Sequence, residues 1–486
     1  MVTQRKETRQ VRRQQVKKQN KIERAQHNLE KEVYRNVSRL FREVFSEEKI
    51  EELAKKTKLQ QRKRELTPIV IVSILTMGCL NDNSNPKALE KMCLLLREWF
   101  NIYIKPQSLS AKINSQNTVK FIKAVMSEVM KHEVNKVLNK LLKKSKIQGF
   151  TRILLQDSTV ISLPDTLKRI FKGCGGSASE AAIKCDFIID QRNNLVLRVK
   201  CVSGRVPDAS LSSDIINYIE EDDLVIRDLG YFNFSQLLKI KQNKAYFISR
   251  LVNSAQVYLS RDDENPVSLI KHLTELGIDE KKPIDIALYI GVKDRILVRL
   301  IAVKVPLEVI EARRQQYKKK RGRSQEPSEA LAEWNGYTFM VTNVPQDKLS
   351  LRMILKMYKI RWQIELFFKN MKSKVCIDKL TGKNKYRIQC IVYTKLMITW
   401  VITIIHAYAQ TKVMEDKKIS ISKLTDWLME EDRLKKGFVH GRIKDLLDEL
   451  ERDLDLLCKQ KRKYKRDAWL DEIESYQEEH ITAKAA

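Results

Sequence analysis

Hydrophobic residues in the first part of the chain recur at the spacing of amphipathic helices. Across Leu29–Leu142 they return every three or four positions, and prolines mark breaks between successive helices. The pattern predicts a helical domain over residues 31–149, and its basic outer faces favour DNA binding. Two interpretations stay open: a helix-turn-helix with Ser108–Asn117 near the DNA, or a helical bundle of another kind with basic outer faces.

The pattern changes at Phe150, where short apolar runs typical of buried strands begin. Over residues 150–251 we predict three strands, a helix, a strand, a helix and a strand. This alternation is typical of one α/β layer with a mixed sheet. The predicted strands are Thr151–Leu163, Lys184–Asp190, Leu195–Val202, Asp223–Asp228 and Ala245–Leu251, and the predicted helices are Asp208–Ile219 and Phe232–Lys241.

A β-rich insertion follows over residues 252–346. Apolar and polar residues alternate along Ile284–Val305, and Gly291–Asp294 supplies a turn, so this segment predicts an antiparallel hairpin. A basic low-complexity stretch, Arg313–Arg323, separates the hairpin from a last strand over Tyr337–Val344.

After Pro345 the periodicity becomes helical again. It divides the remaining chain into residues 347–410 and a C-terminal helical region over residues 411–486. The predicted helices are Leu349–Lys374, Arg387–Tyr408, Ile421–Leu428 and Gly441–Lys463.

The composition indicates a polyanionic partner. The 486 residues include 92 Lys and Arg against 61 Asp and Glu, a formal net charge of +31. Basic residues recur along the whole chain, including an N-terminal arm over residues 1–30, which favours nucleic acid over a membrane surface. We therefore expect a DNA-binding protein without membrane association.

Cysteines and apolar runs indicate a cytoplasmic location. The eight cysteines include no C-x-x-C pair, which argues against zinc fingers and fits free thiols in a reducing compartment. The amino terminus has no apolar core of a signal peptide. The apolar runs Ile69–Leu80 and Leu396–Tyr408 are shorter than the roughly 20 residues that cross a bilayer.

Two aspartates interrupt apolar strands and are the first candidates for chemistry. Asp157 lies within the first predicted strand of the α/β layer, and Asp228 ends the fourth. A carboxylate in an apolar strand is costly unless its charge is matched. Carboxylates on neighbouring strands converge on a hard cation such as Mg²⁺. The alternative is that each aspartate caps its strand or pairs with a basic residue; Asp208 is the nearest rival carboxylate.

A stripe of charged and phenolic side chains follows one face of the predicted helix over Tyr358–Lys372. At about 100° per residue the other members fall within roughly 40° of the glutamate. A glutamate flanked by cations suits a metal-assisted phosphodiester site, in which the cations bind the DNA backbone. A salt-bridged helix surface would produce the same stripe. Its members are Tyr358, Arg361, Glu365 and Lys372.

These residues match the motifs of a known family. The spacing Y-x2-R-x3-E-x6-K, with Trp362 after the arginine and Ile364 before the glutamate, resembles the signature of bacterial insertion-sequence transposases, which are DDE enzymes of the cut-and-paste type. Three further segments resemble the family's first aspartate motif, its D-x-G-Y/F motif and the T-N-x-P end of its β insert. They are Asp157-Ser158-Thr159, Asp228–Phe232 and Thr342–Pro345.

The resemblance implies an α/β, RNase H-like catalytic core over residues 150–251 and 347–410, interrupted by the β-rich insertion and flanked by helical N- and C-terminal regions. It implies a catalytic triad that holds two Mg²⁺ ions, for which Mn²⁺ would substitute. The catalytic and metal-binding residues would be Asp157, Asp228 and Glu365. The residues contacting DNA phosphates would be Tyr358, Arg361 and Lys372.

These expectations describe a transposase that binds the terminal inverted repeats of its insertion sequence, cleaves the ends by Mg-dependent DDE chemistry and joins the 3′-OH ends to target DNA. Double-stranded DNA would be its partner, a homodimer its form in the synaptic complex, and the bacterial cytoplasm, on the nucleoid, its location. Two alternatives remain: a non-catalytic, transposase-derived DNA-binding regulator, and an RNase H-like nuclease acting on branched DNA.

Some family members form a hairpin intermediate and stack a flipped base on an aromatic side chain of the insertion. Any of three aromatic residues would serve this role, although each also suits the core of the insertion. They are Trp334, Tyr337 and Phe339.

Overall fold

The structure is a computed structural model that describes most of the chain between residues 28 and 458. The predicted basic arm, apart from residue 28 itself, lies outside the described residues, as does the chain after residue 458. The described residues are 28, 31–32, 34–59, 65–80, 88–132, 149–175, 179–191, 195–280, 282–321, 325–380, 382–413, 417–430, 433–438 and 441–458.

The described part of the chain before residue 133 forms helices, as its periodicity predicts. Ser46 and Ser115 cap two of them, each accepting a hydrogen bond from the backbone N–H three residues further on. The helices are α1 (residues 34–44), α2 (Glu47–Lys56), α3 (Pro68–Leu80), α4 (Ala88–Phe100), α5 (Pro106–Ile113) and α6 (Gln116–Lys131).

The described residues also form one continuous sheet. Its strands are β1 (Ile153–Leu163), β2 (Ala181–Asp190), β3 (Leu195–Ser203), β4 (Leu224–Arg227), β5 (Tyr246–Arg250), β6 (Val257–Tyr258), β7 (Ile284–Ile290), β8 (Ile296–Lys304) and β9 (Tyr337–Thr342). Their order across the sheet is β3-β2-β1-β4-β5-β9-β8-β7-β6.

The first five strands have the topology of an RNase H-like core. β1, β4 and β5 are parallel, whereas β2 runs antiparallel to both β1 and β3. The order 3-2-1-4-5 with a reversed second strand is the arrangement of that fold. The predicted RNase H-like α/β fold is therefore confirmed.

The β-rich insertion extends this same sheet. β9 pairs antiparallel with β5, and β8, β7 and β6 follow in antiparallel order. The expected hairpin is present as β7 and β8. The domain boundaries themselves stay a prediction, since one sheet runs through the core and the insertion alike.

The T-N-x-P motif fastens the end of the insertion to the core. The Thr342 hydroxyl donates to the carbonyl of Phe247 over 2.6 Å, and the Asn343 amide donates to the carbonyl of Ala245 over 2.8 Å. The backbone N–H of Phe247 donates in return to the Asn343 side-chain oxygen. A side-chain amide thus continues the ladder where β9 ends.

The remaining helices complete the flanks of the sheet. They are α7 (Phe234–Gln242), α8 (Leu269–Glu275), α9 (Leu307–Arg321), α10 (Glu329–Asn335), α11 (Leu351–Lys359), α12 (Trp362–Ser373), α13 (Lys385–Thr411), α14 (Ile421–Met429), α15 (Arg433–Phe438) and α16 (Ile443–Leu457).

Two predictions about these segments were wrong in detail. The predicted helix Leu349–Lys374 is broken into α11 and α12, because the backbone tightens to i→i+3 hydrogen bonds around Ile360. The helix predicted from Asp208 is a 3₁₀-helix over Asp208–Asn217. Most of the basic low-complexity stretch lies in α9, where Glu326 pairs with two of its cations.

α13 is the central helix of the molecule. It packs against α3, α6 and β3. By length and composition this helix could cross a membrane, contrary to the short apolar run predicted there, but 89% of its apolar window is buried inside the protein. Burial of this kind is expected of a core helix that is apolar on all sides.

Candidate active site

Two predicted acids lie level with each other at the carboxyl edge of the sheet. The parallel register of β1 and β4 places Gln156 opposite Arg227, so the next residue on each strand, Asp157 and Asp228, occupies the same level. Level residues on neighbouring parallel strands point to the same face of a sheet. The two carboxylates therefore share one face although 70 residues separate them in the chain.

α12 brings the third acid to this face. Glu365 lies in its first turn, and Phe367 and Phe368 pack against Phe187 of β2 with ring centroids 5.7 and 5.4 Å away. Phe187 is the cross-strand partner of Asp157, so both point to the face that α12 covers. Aromatic packing on the sheet therefore determines where Glu365 meets the two aspartates.

The break between α11 and α12 falls at Arg361, and its guanidinium lies among all three acids. Its nitrogens are 2.7 Å from Glu365, 3.6 Å from Asp157 and 3.9 Å from Asp228. The same Nη1 atom contacts Asp157 and Glu365, so those carboxylate oxygens are no farther apart than the sum of the two distances. The three acids thus surround one cation.

These residues line an open cleft of about 640 Å³. Lys372, in the last turn of α12, faces the same cleft as Glu365 and Arg361. Tyr358 lies farther back, at the end of α11. The structure therefore gathers five of the six predicted site residues around one cleft. The full lining is Asp157, Ser158, Thr159, Asp228, Arg361, Glu365, Phe368, Lys369, Lys372, Ser373 and Asp378.

The cleft changes the protonation chemistry of two groups. Burial raises the pKa of Asp157 to about 7, and the backbone N–H of Ser158 and the charge of Arg361 only partly oppose this. Burial, and then the charge of Asp228, raises the pKa of Tyr358 to about 12. The Tyr358 hydroxyl is buried without a hydrogen-bond partner among the described residues.

The donor set suits a hard divalent cation. Three carboxylates supply only oxygen ligands, the type that Mg²⁺ prefers. Among the described residues, however, no group of three or more acidic, histidine or cysteine side chains is close enough to hold a metal ion as it stands. Arg361 lies where their charges converge, so metal binding requires this guanidinium to move.

Asp208 supports the site from the opposite face of the sheet. Its carboxylate accepts hydrogen bonds from the Ser158 hydroxyl at 2.9 Å and from Lys184 at 2.7 Å. A side chain at Gly230 would begin 3.1 Å from the same carboxylate, so the glycine of the D-x-G-Y motif leaves room for it. Asp208 therefore abuts the segments that carry Asp157 and Asp228, a role that its sequence position did not reveal.

The tyrosine of the D-x-G-Y motif also has a structural partner. Tyr231 is fully buried, and its hydroxyl donates to Asp186 of β2. A hydrogen bond to a buried carboxylate explains why a phenol, with its polar tip, occupies this position. The sequence showed the motif, whereas its partner is visible only in the fold.

Other residues that were predicted to contact DNA make contacts within the protein. Trp334 and Tyr337 pack against Phe339, with ring centroids 4.3 and 5.6 Å away, so these aromatics form part of the core of the insertion. In the Ser108–Asn117 segment, Ser110 and Asn114 accept hydrogen bonds from Arg387 of α13. A DNA contact by this segment stays a prediction.

Comparison with known proteins agrees with this architecture. A family model described as Transposase DDE domain matches residues 148–401, just over half of the chain. The transposase for insertion sequence element IS231F of Bacillus thuringiensis subsp. israelensis is 27% identical, over 79% of this chain and 83% of the relative. The transposase for insertion sequence element IS1151 of Clostridium perfringens is 25% identical, over 80% of this chain and 84% of the relative.

A solved structure also resembles the whole molecule. It is a cryo-EM structure of the piggyBac transposase synaptic complex with hairpin DNA, which covers 89% of this chain and 87% of its own, with 10% identity and a TM-score of 0.45. A likeness this distant supports no conclusion about the chemistry of this chain.

Proposed function

The chain belongs to the Transposase DDE domain family, and from this premise we propose that it binds the terminal inverted repeats of an insertion sequence, cleaves the ends and joins the 3′-OH ends to target DNA. The protein is accordingly a DDE transposase. One observation carries the proposal: three acids from distant parts of the chain surround the Arg361 guanidinium in one cleft.

The acids are proposed to be the metal-binding and catalytic residues. Asp157, Asp228 and Glu365 would hold two Mg²⁺ ions, which when bound supply activation of the attacking water or 3′-hydroxyl and stabilisation of the leaving oxygen. Asp157, on the central strand β1, would supply one of the carboxylates that hold these ions. The three carboxylates would offset most of the positive charge of the pair.

The cations of the cleft are proposed to bind the DNA backbone. Arg361 is bonded to carboxylates in the protein alone, and a phosphate oxygen would take over its donors when the acids bind metal. Lys372 lies about two turns along α12 from Glu365, on the same cleft, and would hold a second phosphate. Tyr358 would donate its buried hydroxyl to a phosphate of the same strand, since no described residue accepts a hydrogen bond from it.

The proposed partners follow from the reaction. Double-stranded DNA is the substrate, at the transposon ends and at the target. Two ends must be held together for joining, so we propose a homodimer in the synaptic complex, acting on the bacterial nucleoid. The net charge of +31 supports a polyanionic partner of this size.

The function is tested with a DNA fragment that carries a marker between the inverted repeats flanking the coding sequence. Mg²⁺-dependent release of that fragment, lost in Glu365→Gln, supports the proposal. Binding of the ends without cleavage in Mg²⁺ or Mn²⁺ would leave only a regulator. Cleavage of branched DNA that lacks the ends, with no joined product, would indicate a nuclease instead.

A further inference from the structure

Arg250 ends β5 at the same edge of the sheet as the two aspartates. β4 and β5 are parallel, with Ile226 opposite Ile248. Continuing this register by two residues places Arg250 level with Asp228, which is itself level with Asp157. The three residues therefore stand at one level on three adjacent parallel strands and point to the same face of the sheet.

Arg250 has no acidic partner in the described part of the chain. Its guanidinium forms no ion pair and donates no hydrogen bond there, although the residue is half-buried. Two arginines of the neighbouring insertion, by contrast, are matched: Arg299 pairs with Asp285, and Arg314 pairs with Glu326. A half-buried cation without a counter-charge is costly in the protein alone and invites an anion.

The neighbours of Arg250 add positive charge and a hydrogen-bond donor. Burial, and then the charge of Arg250, lowers the pKa of Arg313 in α9. Arg313 is fixed by its donation to the carbonyls of Asn335 and Tyr337, so it stays beside Arg250 without neutralising it. On the other side, β5 packs against α11, which carries Tyr358, and no described residue accepts a hydrogen bond from the buried Tyr358 hydroxyl.

We propose that Arg250 forms a further phosphate subsite for the DNA strand, beside the contact proposed for Tyr358, one phosphate away from the bond that is cleaved and on the side of the insertion. The subsite rests on the proposed function, because the triad cleft defines the position of the cleaved bond. Adjacent strands of a sheet are about 4.8 Å apart. The long side chain of Arg250 on β5 can therefore reach the phosphate next to the scissile phosphate. Asp157 and Asp228 lie at the scissile phosphate.

This subsite would determine position and not sequence. Contacts to phosphates fix the register of a protein on DNA, whereas contacts to base edges read the sequence. Holding the strand on the insertion side keeps the scissile phosphate in line with the carboxylates. Loss of Arg250 should therefore weaken binding of every end alike.

The test measures binding without cleavage, in the full-length Glu365→Gln protein. The probe is a duplex carrying the inverted repeat that flanks the coding sequence, together with variants that each carry one neutral methylphosphonate in place of a phosphate. Arg250→Ala should weaken binding of the unmodified duplex about tenfold, as expected for one charge-assisted hydrogen bond. The neutral linkage next to the cleavage site should weaken binding by the parent protein about tenfold. It should not weaken binding by Arg250→Ala any further.

Control variants separate this contact from a loss of fold or of general charge. Arg250→Lys keeps the charge and should retain most of the affinity, and Arg250→Gln keeps much of the stem and should behave like Arg250→Ala. Arg314→Ala removes a paired arginine of the neighbouring insertion and should leave the neutral-linkage pattern unchanged. Circular dichroism and melting temperature check the fold of each variant.

Two results would overturn the subsite. One is equal affinity of Arg250→Ala and its parent for the unmodified duplex. The other is weaker binding by Arg250→Ala that remains just as sensitive to the neutral linkage beside the cleavage site. Failure of the transposase proposal would give a different result: wild-type protein would bind the ends without releasing them in Mg²⁺. The binding assay with Arg250→Ala does not depend on cleavage and would still be interpretable.

Discussion

Asp157 and Asp186 lie on adjacent strands and on opposite faces of the sheet, and their surroundings differ sharply. Asp186 is fully buried and accepts hydrogen bonds from Tyr231, Gln156 and Arg198. Asp157 faces the cleft, accepts one bond from the backbone N–H of Ser158, and shares Arg361 with two other acids.

The difference shows how the fold separates a carboxylate that stabilises the core from carboxylates that are available to bind a cation. Burial raises the pKa of both carboxylates, but fixed donors to Asp186 oppose the effect of burial there. Asp157, Asp228 and Glu365 have one guanidinium among them, so negative charge remains for a cation to neutralise. Under-compensated charge in an open cleft is what a metal site requires, and it costs stability.

The largest effect on activity should come from a substitution on the face of the sheet that carries the cleft. Glu365→Gln should lower end cleavage by roughly a thousandfold or more, since metal stabilisation supplies several kcal/mol, while the melting temperature stays within a few degrees of wild type. Cleavage is measured by gel with labelled ends. Lys374→Ala, which removes a cation paired with Asp426 beyond the cleft, is the control; cleavage by Glu365→Gln at the control rate would contradict the assignment.

A substitution on the opposite face, which carries the buried Asp186, should mainly lower stability. Asp186→Ala leaves the Tyr231 hydroxyl and Arg198 without their shared acceptor and should lower the free energy of unfolding by about 3 kcal/mol. The denaturant midpoint measures this. Glu180→Gln, in an exposed ion pair with Lys168, should change little. An unchanged midpoint in Asp186→Ala would remove the distinction between the two faces.

The pH dependence of stability should also distinguish the faces. The pKa of folded Asp157 is about 7, above its ordinary value of 3.8, so the folded state loses stability as pH rises between those values. Asp157→Asn removes this cost and should be more stable than wild type at pH 8 by about 2 kcal/mol. The advantage should vanish near pH 4. Lower stability of the variant at pH 8 would show that the carboxylate is fully compensated.

The smallest effect concerns competition for the acids. Arg361→Ala should bind Mn²⁺ about tenfold more tightly than wild type in the absence of DNA, because the guanidinium no longer occupies the centre of the carboxylates. Electron paramagnetic resonance of free Mn²⁺ measures the affinity. Added end DNA should tighten Mn²⁺ binding by wild type and not by the variant. Weaker Mn²⁺ binding by Arg361→Ala would mean that the arginine holds the acids in place for the metal.

Much of the fold was predictable because its signals are local. Short apolar runs indicated β1, β4 and β5, a period-two run indicated β7 and β8, and period-3.6 runs indicated the flanking helices, since each pattern depends only on neighbouring residues. The bend at Arg361 was not predictable, because Tyr358–Lys372 reads as one continuous amphipathic helix. Its cause is tertiary: α12 must lie on Phe187 while α11 packs against β5.

The sequence by itself determined which residue types are available and in what order: two aspartates on strands, and a glutamate flanked by an arginine and a lysine on a helix. Only the tertiary structure decided that Arg361 joins all three acids, that Asp208 supports them from behind, and that Arg250 stands level with Asp228. The physical reason is that strand register and helix packing bring together residues many positions apart, and no periodic pattern within a short segment carries that information.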